Sequence, residues 1–170
     1  NSNFSNLRDL DQKLLKKMRT SYFDILNNYT IKNNQNIYID KMPLNIIYVG
    51  EIVRIFPEAK FILAIRHPCD CILSCFMQSF SLNDSMANFT DLESTSKYYN
   101  QVMILWQQYL RVFKVKYHLI RYEDLVKNFE NSVNKLLNFL DLEWSDSVNK
   151  FYETAINRGK ISTPSYNQAN

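Results

Sequence analysis

The passage over residues 60–80, KFILAIRHPCDCILSCFMQSF, constrains the fold more than any other part of the chain. An apolar run, Phe61 to Ile65, stops abruptly at Arg66. Such a run, bounded by a charge, reads as a strand covered on both faces of its sheet. Pro68 stands where a helix opens, because its missing N–H would have no partner in the first turn. The passage is therefore predicted to carry an arginine from a strand end to the mouth of a helix. That arrangement suits a phosphate. A guanidinium forks onto two oxygens, and the helix adds free N–H groups and the positive end of its dipole. Ser74, two turns into the helix, offers a hydroxyl to the same anion. The competing reading pairs Arg66 with Asp70 and leaves Ser74 as an ordinary helical residue.

Apolar residues recur at helical spacing over residues 7–29, with Ser5 as a candidate cap. Pro43 opens a second helix that stops before Pro57. Further helices are predicted from Pro68, over 96–113, over 128–140 with Asn128 as the cap, and over 145–156. Strands are predicted at 37–39, 61–65 and 117–122. Residues 30–36 and 81–95 read as polar loops, and 159–170 as an irregular tail. Alternating strands and helices argue for an α/β fold with a parallel sheet, whose ligands gather at the carboxyl ends of the strands. Three polar groups fall at such ends: Asp40-Lys41, Arg66 and Tyr122-Glu123-Asp124. Lys41 can neutralise charge that grows on a transferred group, and Asp40 can orient it or take a proton. A solvated acid–base pair is the alternative. Tyr122 can lie against a purine, while Glu123 and Asp124 suit the first turn of a short helix.

The chain's 170 residues suggest one domain, and an apolar fraction of 46% is enough for a core. A net charge of +3 fits a small anionic ligand and lends no support to a nucleic-acid groove. The only glycines are Gly50 and Gly159, few for a complete nucleotide-binding domain. The N-terminal residues are polar, and no apolar run reaches the roughly 18 residues of a membrane span. That absence says little about the parent protein, whose termini are not seen; the expected location is the cytoplasm. It opens at Asn1 and stops at Asn170 after a polar stretch, so both ends are expected to be cut from a longer protein. Cys69, Cys71 and Cys75 lack zinc-site spacing and read as small packing residues in a reducing compartment, with a redox pair as the alternative. His67, His118, Trp106 and Trp144 read as structural.

Taken together, DKMPLN (40–45), RHPCDCILS (66–74), RYEDLVKN (121–128) and ISTPSYNQ (161–168) resemble the sulfotransferase superfamily. The likeness runs from about Tyr38 to the end, and the R-x-P-x-D-x-x-x-S element is its specific part. It is nearest to the bacterial branch found behind tetratricopeptide repeats, which is itself similar to tyrosylprotein sulfotransferases. The resemblance implies a P-loop-like α/β fold, a parallel sheet flanked by helices, truncated here at both ends. It also implies the donor 3′-phosphoadenosine-5′-phosphosulfate and no metal. Arg66 and Ser74 would hold the donor's 3′-phosphate, Tyr122 the adenine, and Lys41 would sit near the transferred sulfuryl group. Ser165 matches a serine that helps stabilise the transition state in the tyrosylprotein branch. Asp40 corresponds to the base of glycan sulfotransferases, whereas the tyrosylprotein branch keeps its base elsewhere. The family's 5′-phosphosulfate loop has no counterpart in residues 1–170. The resemblance therefore implies a partial domain with the 3′-phosphate half of the donor site, inactive by itself. The acceptor, whether peptide tyrosine, glycan or small molecule, has no legible signature. A P-loop kinase-like phosphotransferase and a non-catalytic nucleotide- or protein-binding module are the rival readings.

Overall fold

Asp11 opens the first helix, its carboxylate accepting the N–H of Leu14 at 2.6 Å. The computed structural model describes residues 11–29, 37–78, 80 and 83–150. Ser5, Ser165 and the irregular tail lie outside these residues. The elements run in the order α1 (Gln12–Asn27), a 3-10 turn (Pro43–Tyr48), α2 (Val49–Ile55), β1 (Lys60–Ile65) and α3 (Pro68–Phe76). A 3-10 turn (Met86–Phe89), α4 (Leu92–Val112), β2 (Lys116–Arg121), α5 (Tyr122–Lys127), α6 (Phe129–Leu140) and a last 3-10 turn (Asp146–Lys150) follow. Strands β1 and β2 lie side by side, parallel, and helices flank them. This is the α/β architecture expected from the alternation of strands and helices.

The chain divides into two units. The first comprises residues 1–61 and 101–116. In it α1 packs on α2, and Leu15, Val49 and Trp106 are buried. Gly50 is required there by close approach. A Cβ at that position would stand 2.9 Å from Cε1 of Tyr109. The same tyrosine donates its hydroxyl to the Ile47 carbonyl at 2.7 Å, so its ring has little freedom to retreat. Arg19 donates to the Ile55 carbonyl at 2.7 Å and satisfies the C-terminal end of α2. Tyr22, Phe23, Tyr38 and Phe56 form a cluster of edge-to-face and tilted rings 5.1 to 5.9 Å apart.

The second unit comprises residues 62–100 and 117–170. Helix α6 starts as its sequence demands, the Asn128 side chain accepting the N–H of Asn131 at 3.3 Å. It closes on Asp141, which takes the left-handed conformation at φ 58°. His118 stacks on Phe139 with centroids 5.5 Å apart, which accounts for an imidazole within a strand. Thr95 is buried with its hydroxyl donated to the Asp91 carbonyl at 2.7 Å and shared with that of Asn88.

Three expectations need correction. Residues 37–39 form no strand and are exposed, Ile39 to 78%. Among the described residues nothing pairs with this three-residue run, and an unpaired strand leaves its backbone groups to water. The apolar run of β1 is covered on alternate residues only, and Ile62 is 41% exposed. Helix α4 begins at Leu92, earlier than expected, because the Asp91 carboxylate accepts the N–H of Ser94 at 2.8 Å and starts the helix there.

Candidate functional site

Strand β1 ends at Ile65 and hands Arg66 to solvent at the mouth of α3. His67 occupies the cap position without a side-chain cap, and Pro68 fills the first turn. The guanidinium carbon of Arg66 lies 5.4 Å from the ring centroid of Tyr122, the first residue of α5. On its other side, Nε is 3.7 Å from Oδ2 of Asp70. The arginine is thus held between an aromatic face and a carboxylate. Its side chain remains 40% exposed, and among the described residues its two terminal nitrogens make no hydrogen bond. The Asp70 reading of Arg66 is thus seen as a loose ion pair, and it leaves the terminal nitrogens unengaged among the described residues.

Glu123 fastens this corner. Its Oε1 accepts the backbone N–H of His67 at 2.7 Å, tying the first turn of α5 to the β1–α3 junction across 56 residues. Its own backbone N–H and that of His67 hold the carboxyl below the ordinary range, aided by the charge of Arg121. The second oxygen, Oε2, is buried without a hydrogen bond among the described residues. The sequence offered Glu123 only as a favourable charge for a helix start. No local signal marks a partner so distant in the chain.

Ser74 is half-buried on the second turn of α3. Helical spacing sets it on the same stripe as Asp70, one turn further on. No hydrogen bond to its hydroxyl forms among the described residues, so the structure joins Arg66 to Tyr122 and leaves Ser74 aligned but uncommitted. A separate cleft of about 310 Å³ borders β2, α5 and α6. Arg121, Lys127 and Lys135 line it, whereas Arg66, Ser74 and Tyr122 do not.

In the first unit, Asp40 and Lys41 lie in the irregular stretch before Pro43. Asp40 is nevertheless held at both oxygens. Oδ2 accepts the Tyr22 hydroxyl at 3.2 Å and Oδ1 accepts the Asn45 amide at 3.3 Å. Burial, and then the neighbouring Asp40 charge, raise the Tyr22 phenol above its ordinary value. Lys41 is exposed and makes no ion pair among the described residues. Tyr22 was legible only as an apolar position of α1, since helical periodicity says nothing of where a phenol's hydroxyl points. No helix among the described residues is long and apolar enough to cross a membrane.

An arginine at a strand end beside a helix mouth, on a parallel α/β scaffold, is an arrangement whose chemistry suits an anion. The sulfotransferase family model matches residues 5–146, and the chain belongs to that family. The chain is similar to an uncharacterized protein of Aquifex aeolicus (strain VF5), 28% identical over 86% of this chain and 19% of the relative. It is similar also to a protein-tyrosine sulfotransferase of Drosophila melanogaster, 24% identical over 64% of this chain and 22% of that protein. The chain thus spans about a fifth of the length of these relatives. Among solved structures, the sulfotransferase domain from the curacin biosynthetic pathway shares the fold. Its TM-score is 0.52 at 21% identity, covering 85% of this chain and 55% of that one.

Proposed function

We propose that this chain contributes the 3′-phosphate half of a donor site for sulfuryl transfer from 3′-phosphoadenosine-5′-phosphosulfate to a hydroxyl or amine. The observation that carries the reading is Arg66, presented at the mouth of α3 with both terminal nitrogens open among the described residues and Tyr122 against its flank. The residues present fit a phosphate: a planar fork, a helix start with Pro68 in its first turn, and an aromatic surface for a purine. When bound, the donor supplies the activated sulfuryl group. Arg66 and Ser74 hold the 3′-phosphate in this reading, and Tyr122 meets the adenine. Glu123 keeps α5 and the β1–α3 junction in register, so that arginine and tyrosine present one surface.

Lys41 and Ser165 stabilise negative charge at the transferred group in this mechanism. A lysine without an ion pair among the described residues is free to serve an external anion. Asp40 is the candidate base, held in place by Tyr22 and Asn45 through one oxygen each. Each oxygen retains a further lone pair for an acceptor proton. No metal enters this scheme, and the acceptor is a peptide tyrosine, a glycan or a small molecule.

An isotope-labelled chain titrated with adenosine 3′,5′-bisphosphate tests the reading by nuclear magnetic resonance. The amides of Arg66, His67, Cys69, Asp70, Cys71 and Tyr122 shift, and adenosine 5′-monophosphate moves them far less. Equal responses to the two nucleotides, or shifts confined to other elements, would overturn it.

A further inference from the structure

The cleft of about 310 Å³ between β2, α5 and α6 gathers one cation from each of three elements. Arg121 comes from the end of β2, Lys127 from the end of α5, and Lys135 from the second turn of α6. Asp124 is the one carboxylate on the described lining, which leaves it a net charge of +2. Elsewhere lysines take a carboxylate, Lys97 that of Glu93 and Lys116 that of Glu58. Arg121, Lys127 and Lys135 make no ion pair among the described residues. Like charges brought to one hollow repel, and a bound anion relieves the repulsion. The walls are held in place. The Asp124 carbonyl accepts the Asn128 N–H at 2.9 Å and the Ser132 hydroxyl at 3.3 Å, which pins α5 to α6. His118, stacked on Phe139, holds β2 against α6. Polar capacity is left over. The Asn131 side chain makes no hydrogen bond among the described residues, and the Ser132 oxygen, its proton donated, keeps lone pairs for an incoming hydroxyl.

We propose that this cleft is a second ligand site, which takes the phosphate monoester of a small hydroxylated molecule of the sugar class. Such an ester carries close to two negative charges at neutral pH, the complement of the lining. Arg121 forks onto two phosphate oxygens, and Lys127 and Lys135 add point charges. Asn131 and Ser132 meet the hydroxyls of the body. The volume lies at the small end of the range for ligand sites, which suits one sugar ring and its phosphate. The site is independent of the donor reading, since Arg66, Ser74 and Tyr122 take no part in it.

The isotope-labelled chain is titrated separately with glucose 6-phosphate, glucose 6-sulfate and glucose, and followed by nuclear magnetic resonance. With the phosphate ester, the amides of Arg121, Lys127, Asn128, Asn131, Ser132 and Lys135 shift and saturate. The sulfate ester, with a single charge, binds several-fold more weakly, and glucose moves none of them. Combining Lys127→Ala with Lys135→Ala weakens the phosphate ester by at least about tenfold. Arg66→Ala leaves its affinity unchanged. Absence of saturable shifts at the cleft would overturn the proposal, as would an equal response to glucose or unchanged affinity in the double variant. Equal affinity for the two esters would overturn the match to a dianion. Loss of binding in Arg66→Ala would move the ester to the donor site and overturn the second one. If the double variant does not fold, the order of the three ligands on the wild-type chain decides.

Discussion

Arg66 shares its guanidinium between two neighbours that treat it differently. Tyr122 offers a face and no hydrogen bond, while Asp70 offers a charge at 3.7 Å in a largely exposed setting. An exposed pair of this kind contributes about 0–1 kcal/mol, so Asp70 competes with an incoming anion only weakly. Asp70→Asn is expected to leave the thermal midpoint almost unchanged and to tighten bisphosphate binding several-fold. Calorimetric titration measures the second effect and a melting curve the first. Glu123 supplies a pH dependence. Its folded carboxyl is held below the ordinary range, so its stabilising effect is present above the unfolded value of about 4.3. That effect is lost as pH falls through the lower folded value. Glu123→Gln should flatten the fall of the melting temperature across that acidic window. An unchanged slope would remove Glu123 as the fastener. Of these groups, Arg66 was legible because a charge ends an apolar run. Glu123's reach to His67 was not, because it joins residues far apart in the sequence.

Elements were legible where their signals are local. Helix α6 begins at the asparagine that caps it, and Asn128→Ala is expected to cost about 1 kcal/mol in chemical denaturation. The start of α4 was missed because Asp91, its capping carboxylate, sits in a stretch whose polarity suggested a loop. The stretch at 37–39 shows the opposite failure. Its composition favours a strand, yet a strand exists only by pairing, and pairing is not written in three residues. Gly50 makes a sharper case at the level of packing. Gly50→Ala puts a methyl 2.9 Å from the Tyr109 ring, whose hydroxyl is committed to Ile47. It should destabilise the chain by roughly 1–3 kcal/mol, read from the denaturation midpoint.

Across the molecule, the parallel pairing of β1 and β2 and the helices that flank it were readable from the alternation of strands and helices, whereas the predicted strand at 37–39 is absent among the described residues. Strand coverage was not readable, since an apolar run states what a strand can bury and not what is there to cover it. Of the six candidate site residues, Arg66 and Tyr122 meet within the second unit, and Asp40 and Lys41 occupy the first. The central claim is that Arg66 receives a phosphate. Titration calorimetry with adenosine 3′,5′-bisphosphate tests it most directly, on the wild-type chain and on Arg66→Ala. Loss of a charge-assisted fork worth about 1.5–3 kcal/mol predicts binding weakened by roughly ten- to a hundredfold. Equal affinity in the two chains would contradict the claim.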